Sequence, residues 1–345
     1  MKNFFYSIII LFSLFSCDIK EKGIEAQEKI NIENKYGNQV ITNYDIPLKA
    51  TDIAGNDITS QTEFFVDGNA INGNILNFPS PGTHIITAQI NIDGETKASD
   101  PLNLNVIDPQ SSTKILVEDF TGTWCVNCPR ITYKLEQAVS QNDHIVPTAI
   151  HGSFNTTSAY DPFGYNNINY FTNNYNISSF PTALVNKDFV WDENYSSLQT
   201  VLDKNKPLGL AINSTVSGNT LNVEVKVRFD MDFSSEDLRL VIYFNENGLI
   251  HDQANGTSFY GGQNPIPDFE HNHTLRAALV GENGIIIDQN KGTNQIFTYT
   301  YSGNIPSNIE DINNCEIVAF VTANGNPIHT INVQKAAINS QQDFD

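Results

Sequence analysis

Basic residues are scarce in this chain. Only 19 Lys and Arg stand against 39 Asp and Glu, for a formal charge of −20 over 345 residues. No run of Lys or Arg occurs, which argues against a nucleic-acid backbone as partner. Four cysteines in this length exclude a small fold stapled by disulfides. Only 40% of the residues are hydrophobic, and 14 Pro and 21 Gly interrupt them, which excludes a polytopic membrane protein. What is plentiful is asparagine, 44 in all, a composition that favours turns, short strands and left-handed positions over long helices. The length predicts two or three domains.

The N-terminus reads as an export signal. Lys2 supplies a basic start, and Phe4 to Phe15 form an apolar run of 12 residues, too short for an ordinary membrane span of ~20 residues and suited to a secretory signal. The run ends in Leu14-Phe15-Ser16-Cys17, with no A-x-A-like cleavage site after it. These residues resemble a bacterial lipobox, in which the cysteine becomes the lipidated N-terminus. The alternative is a plain secretory signal with an incidental cysteine. Lipid on Cys17 would make residues 1–16 a removed signal peptide and anchor the protein to a membrane. Residues 17–35, charged and poor in large apolar side chains, read as a tether.

Behind the tether, the pattern divides into three parts, predicting a multidomain β plus α/β chain. Residues 36–107 hold short alternating runs separated by turn signals such as Asp67-Gly68, Asn72-Gly73 and Asp93-Gly94, the spacing of a small antiparallel β-sandwich. The turn at 81–83 and the alternating strand after it resemble immunoglobulin-like modules of bacterial surface proteins. Residues 108–113 read as a linker. Residues 114–206 alternate strands and helices: an apolar strand over 114–120, a helix over 129–141, a strand over 145–150, a helix opened by Asp161-Pro162 and reaching Tyr175, a strand over 180–185 and a helix over 196–204. That order implies a mixed α/β layer. Residues 207–345 return to β, most clearly where Leu221, Val223, Val225, Val227 and Phe229 alternate with polar residues, and predict a second β-sandwich. The stretch from Gly256 to Phe269 reads as a surface loop.

The motif that carries chemistry is Trp124-Cys125-Val126-Asn127-Cys128-Pro129. It follows a strand and opens a helix. Residues at i and i+3 share one helical face, so the two sulfurs can reach bonding distance. The helix N-terminus offers unpaired N–H groups and the positive end of a dipole, both of which stabilise a thiolate. Cys125 would attack a substrate disulfide, and Cys128 would resolve the mixed disulfide. Pro129 fits if the helix begins near Asn127.

Strand, Trp-Cys-x-x-Cys, helix, strand and a proline before another strand together resemble the thioredoxin fold. That resemblance implies that Pro181 is cis and faces the cysteine pair, with Phe180, Thr182 and Trp124 around the substrate chain. It also implies a buried acid before the first cysteine that assists proton transfer at the resolving thiol. Asp119 holds that place and shares strand parity with Ile115 and Val117; Glu118, of opposite parity, is the second candidate. A hydrogen-bonded acid at a strand end is the plain alternative for Asp119. Val126-Asn127 departs from the Gly-Pro of reducing thioredoxins and leaves reductase and oxidase both open. A longer stretch, Val117 to Pro129 (VEDFTGTWCVNCP), resembles the signature of the twenty-eight-kilodalton outer-membrane-protein lipoproteins, as do Glu270 to Arg276, Ile317 to Val321 and Val333 to Ala336. That family implies an outer-membrane lipoprotein with a thioredoxin-like domain behind an Ig-like one.

Other polar residues carry weaker signals. Cys125 and Cys128 lack a second pair of ligands at zinc-finger spacing, so no metal and no cofactor are expected. His271 and His273, with His251 or Asp252, could hold a metal but read better as strand or loop histidines. Arg276 is expected to pair an acid, His151 to cap or lie at the surface, and Cys315 to be a buried small hydrophobe. Tyr160, Tyr165, Tyr170 and Tyr175 read as packing and surface aromatics. Two functions remain: thiol–disulfide exchange at the cell envelope, with exported proteins bearing thiols or disulfides as partners, or a surface or periplasmic binding lipoprotein in which the thioredoxin-like domain is only a scaffold.

Overall fold

The computed structural model describes residues 29–152, 160–325 and 328–345. The signal segment, Cys17 and the first part of the tether lie outside the described residues.

The N-terminal part builds nine short strands: β1 (Asn31–Asn34), β2 (Gln39–Ile41), β3 (Ile46–Thr51), β4 (Glu63–Val66), β5 (Asn69–Ala70), β6 (Ile75–Leu76), β7 (Gly82–Ile92), β8 (Glu95–Ala98) and β9 (Leu102–Ile107). They form two sheets, β1-β3-β6 and β2-β9-β7-β4-β5, with β8 also on β7. Asp67-Gly68 joins β4 to β5, and Asp93-Gly94 joins β7 to β8. All four residues have φ between 50° and 85°, as two-residue hairpins require. Ile46, Leu48 and Ala50 from one sheet and Phe64, Ile86 and Leu104 from the other fill the space between them.

The middle of the chain gives β10 (Ile115–Thr121), α1 (Cys128–Gln141), β11 (Ile145–His151), α2 (Ile168–Asn174), β12 (Thr182–Val185), β13 (Phe189–Val190) and α3 (Tyr195–Leu202). Alternation along β10 sorts its side chains. Ile115 and Val117 pack under α1 and α3 with Ile131, Leu135, Ala183 and Leu198. Leu116 and Phe120 pack on the opposite face with Ile150, Phe171 and Tyr243. The helix expected from Asp161 starts seven residues later, at Ile168. The Asp161 carboxylate instead accepts the backbone N–H groups of Thr123 and Phe163, at 2.8 and 2.9 Å, so it fixes a loop rather than capping a helix.

The remainder is β14 (Leu208–Ser217), β15 (Thr220–Phe229), β16 (Leu238–Glu246), β17 (Leu249–Gln253), β18 (Ile266–His271), β19 (Thr274–Ala278), β20 (Ile285–Ile287), β21 (Ile296–Asn304), β22 (Cys315–Ala323), β23 (His329–Ala337) and β24 (Gln341–Gln342). Strand β15 keeps its alternation: Leu221, Val223, Val225, Val227 and Phe229 are buried and the residues between them half-buried. A four-stranded sheet, β21-β15-β14-β24, covers one half of a larger nine-stranded sheet.

That larger sheet crosses the boundary expected between residues 206 and 207. Its order is β13-β12-β10-β11-β19-β16-β22-β23, with β20 also on β16. The join is a single parallel register pair, Ala149 with Thr274, between β11 and β19. The C-terminal segment therefore does not close a sandwich from its own strands alone: one of the three sheets its strands enter continues into the strands that carry the cysteine motif. An edge strand left open would present unpaired N–H and C=O groups, and this junction removes two such edges at once. The architecture is thus β-rich and built of several sheets. The N-terminal sheets are seated on the C-terminal strands through Tyr36, whose ring lies 5.2 Å from that of Phe233. Gln39 also donates its amide to the Asp230 carbonyl at 2.9 Å.

Candidate functional site

Strand β10 delivers the chain to a tight loop, and α1 leaves it. In between, Cys125 and Cys128 are joined as a disulfide with Cα atoms 5.4 Å apart. The Cys125 N–H bonds the Gly122 carbonyl at 3.0 Å and the Cys128 N–H bonds the Cys125 carbonyl at 3.2 Å, so the loop is wound before the helix begins. Asn127 occupies the N-cap position, and Pro129 sits in the first turn, where its missing N–H costs nothing. Gly122 is needed for a different reason. A Cβ there would lie 2.6 Å from the Trp124 indole nitrogen, and that indole donates to the Gly152 carbonyl at 3.0 Å.

Several expected partners are assembled around this loop. The Trp124 ring stacks on Phe180 at 6.1 Å, which brings the 180–182 segment beside the motif. The Phe180–Pro181 peptide is cis. Thr182 pairs with Phe120 across the sheet, and its hydroxyl donates to the Ser179 carbonyl at 2.7 Å, so it is engaged locally.

The two acids of β10 part company as their parity requires. Asp119 lies under α1, 3% exposed, and burial pushes its carboxyl up to about 7, with the Thr132 hydroxyl offsetting part of that rise. The same hydroxyl approaches the Cys128 carbonyl at 3.4 Å, so Asp119 and the second cysteine share one neighbour. Glu118 points to the other face. There Lys187 donates to its two oxygens at 2.6 and 2.8 Å, and the Tyr243 hydroxyl donates at 3.0 Å. Glu118 is therefore withdrawn from the cysteine site. Phe171, Tyr175, Tyr243 and Phe320 rings stand 4.6 to 5.7 Å from the Lys187 nitrogen.

A feature without a signal in the sequence covers the loop from outside. The residues after β17 run across it as a strap. The Ala254 N–H bonds the Thr123 carbonyl at 2.8 Å, and the Gly256 N–H bonds the Val126 carbonyl at 2.6 Å. The Gln253 amide donates to the carbonyls of Gly122 and Cys125 at 3.2 and 3.1 Å. Gly256 permits this approach, since a Cβ there would meet that of Val126 at 3.3 Å. The stretch expected as a surface loop, 256–269, is thus docked: Phe259 packs on Tyr133 of α1 at 4.9 Å, and the Tyr260 hydroxyl donates to Glu136 at 2.8 Å. Cys125 is left 4% exposed and Cys128 not at all.

The remaining candidates have other duties. His271 is buried, and that burial, with His151 close by, lowers its pKa to about 3; its Nε2 lies 3.3 Å from the His251 carbonyl. His273 pairs with Glu316 at 2.8 Å. The two histidines thus serve separate partners, and among the described residues no three His, Cys, Asp or Glu converge as a metal site. His151 is buried rather than at the surface and meets Asp161 at 3.1 Å. Arg276 pairs with Glu246 at 3.2 Å. Cys315 is a buried free thiol, pushed up to about 12 by burial. Of the four tyrosines, Tyr160 is exposed, while Tyr165, Tyr170 and Tyr175 pack around or beside Phe171.

The fold and the strapped disulfide define a β-rich protein of several sheets with one covalently closed loop. The family model described as "Outer membrane protein Omp28" matches residues 168–342, about half of the chain, and the chain belongs to that outer-membrane family. Among solved structures, HBP35 of Porphyromonas gingivalis is similar over 68% of this chain and 77% of its own, with 16% identity and a TM-score of 0.53, a likeness of fold. A protein from Agrobacterium tumefaciens matches over 68% of this chain and 99% of its own, at 13% identity and a TM-score of 0.42. A domain of the outer membrane lipoprotein Omp28 from Porphyromonas gingivalis matches over 39% of this chain and 89% of its own, at 16% identity and a TM-score of 0.24. No curated protein matches the chain.

Proposed function

We propose that this chain is an outer-membrane lipoprotein, held by lipid on Cys17, whose β-rich body binds a ligand or partner at the envelope. In this reading the Cys125–Cys128 loop is a fixed part of the scaffold. The observation that carries it is the strap. Both cysteines are at most 4% exposed, and backbone bonds from Ala254 to Thr123, just before them, and from Gly256 to Val126, between them, tie the loop down. Disulfide exchange needs a thiolate in line with the S–S bond, and cysteines this buried offer little surface to one. The test is reduction of the native protein with dithiothreitol, followed by thiol alkylation and mass analysis. The pair should resist reductant that opens an exposed disulfide, and should yield only as the protein unfolds. Rapid opening in the folded protein would sink the scaffold reading.

A second reading has its own support. Asp119 is buried under α1 next to Thr132, which reaches the Cys128 carbonyl, the place where a thioredoxin-like protein keeps its proton-transfer acid. In that case the middle segment is a thioredoxin-like unit acting on exported proteins with thiols or disulfides. Once a donor thiol has reduced the pair and the strap lifts, Cys125 attacks the substrate disulfide and releases one substrate thiol, Cys128 displaces the other and restores the Cys125–Cys128 bond, Asp119 takes the Cys128 proton, and Trp124, Phe180, Pro181 and Thr182 hold the substrate chain. Purified protein would then catalyse disulfide exchange in a model substrate, and Cys125→Ser would abolish it. Undiminished exchange in that variant would refute the second reading.

A further inference from the structure

A cavity lies behind the disulfide helix, with Gln253 of the strap on its wall. It holds about 260 Å³ between α1, β11 and the β17–β18 hairpin. Leu135, Val139, Pro147 and Phe269 give it apolar walls. Asp119 stands on that wall, and its Oδ1 atom is buried without a hydrogen-bond partner among the described residues. A carboxyl on a cavity wall calls for a donor from whatever fills the space.

The charge around it selects the kind of donor. Glu136 also lines the cavity and accepts the Tyr260 hydroxyl at 2.8 Å. No Lys or Arg lines it. His271 stays neutral, because burial lowers its pKa to about 3. His273 is engaged by Glu316 at 2.8 Å, and His151 by Asp161 at 3.1 Å. Asp119 therefore faces the space with no Lys or Arg on the wall among the described residues, and Glu136 has His273 near it.

We infer that this cavity binds a small organic amine, with its ring or chain against Leu135, Val139 and Phe269 and its ammonium group donating to Asp119. The size agrees. An engineered cavity of ~150 Å³ admits benzene, and drug-sized ligands take ~300–1,000 Å³, so about 260 Å³ suits one ring with a short amine tail. A cation beside Asp119 would also favour its ionised form, against the burial that keeps it protonated up to about 7. The inference rests on the binding reading above and names its ligand class.

The test is calorimetry of the full mature chain with phenethylamine and with phenethyl alcohol, its uncharged counterpart, at mildly alkaline pH. The amine should saturate one site, and the alcohol should bind at least tenfold more weakly. Asp119→Asn should lose at least tenfold in amine affinity and keep the alcohol affinity. Ala149→Phe, which fills the cavity, should abolish both. Equal affinity for amine and alcohol, an unchanged amine affinity in Asp119→Asn, or no saturable heat with the native protein overturns the inference. The ligand comparison needs no variant, so it stands even where a substitution unfolds the protein. Failure here leaves the reductant experiment untouched, and a rapidly reduced disulfide leaves the calorimetry untouched.

Discussion

The ion pair of Glu118 and Lys187 offers the sharpest test of how this sheet is held together. The two side chains are 0% and 1% exposed. They make two charge-assisted bonds of 2.6 and 2.8 Å, and burial lowers the pKa of Lys187, with Glu118 opposing that change. Removing one partner leaves the other charge buried alone, which typically costs ~3–5 kcal/mol. In Lys187→Met the Tyr243 hydroxyl still donates to Glu118 at 3.0 Å, which softens the loss, so about 3 kcal/mol is expected. Glu118→Gln should cost a similar amount, because the lysine then stands among four aromatic rings with only a neutral acceptor. The double variant Glu118→Gln/Lys187→Met buries no charge and keeps an acceptor for Tyr243. It should recover at least ~2 kcal/mol relative to the sum of the single variants, the coupling expected of direct neighbours. Urea unfolding followed by circular dichroism and by tryptophan fluorescence measures all three, and agreement of the two probes licenses the comparison. If Lys187→Met costs under about 1 kcal/mol and the cycle is additive within ~0.5 kcal/mol, the pair is not what fixes β10 against the turn between β12 and β13, and the reasoning fails.

Three further outcomes follow from other sites. The folded Asp119 carboxyl holds its proton up to about 7 rather than the ordinary 3.8. Its contribution to stability is therefore full below about pH 4 and is lost as pH rises through 7, by at most ~4 kcal/mol. Asp119→Asn should flatten that part of the stability–pH curve, and an unchanged slope in denaturant titrations across this range would count against the assignment. Gly256→Val sets a side chain against Val126, where even a Cβ would come within 3.3 Å. Loosening the strap should speed dithiothreitol reduction of the disulfide at least tenfold, and an unaltered rate would show that the strap does not shield it. Phe233→Ala removes a side chain whose ring lies 5.2 Å from Tyr36 and 5.9 Å from Phe229, at a cost of ~3 kcal/mol. Limited proteolysis should then cut the 108–113 segment faster, and an unchanged cutting rate would place the seam elsewhere.

The sequence by itself determined what depends on near neighbours. Strand alternation in β15, the Asp-Gly hairpins, the start of α1 at the cysteine motif and the opposite faces of Glu118 and Asp119 all follow from backbone periods of 2 and 3.6 residues. The lateral order of strands does not follow from those periods, because an apolar strand can pair with any edge of matching polarity. Only the tertiary structure set β11 beside β19 and so fused the motif-bearing strands with the C-terminal sheet. The same holds for Lys187, whose partner Glu118 is 69 positions away, and for Gln253, which reaches the Gly122 carbonyl 131 positions away. A glutamine and a glycine in a turn-rich stretch carry no pattern that marks them as a strap. Their role comes from the Gln253 side-chain amide and the Gly256 backbone N–H, which found acceptors on the disulfide loop, and such pairings exist only once the chain has folded.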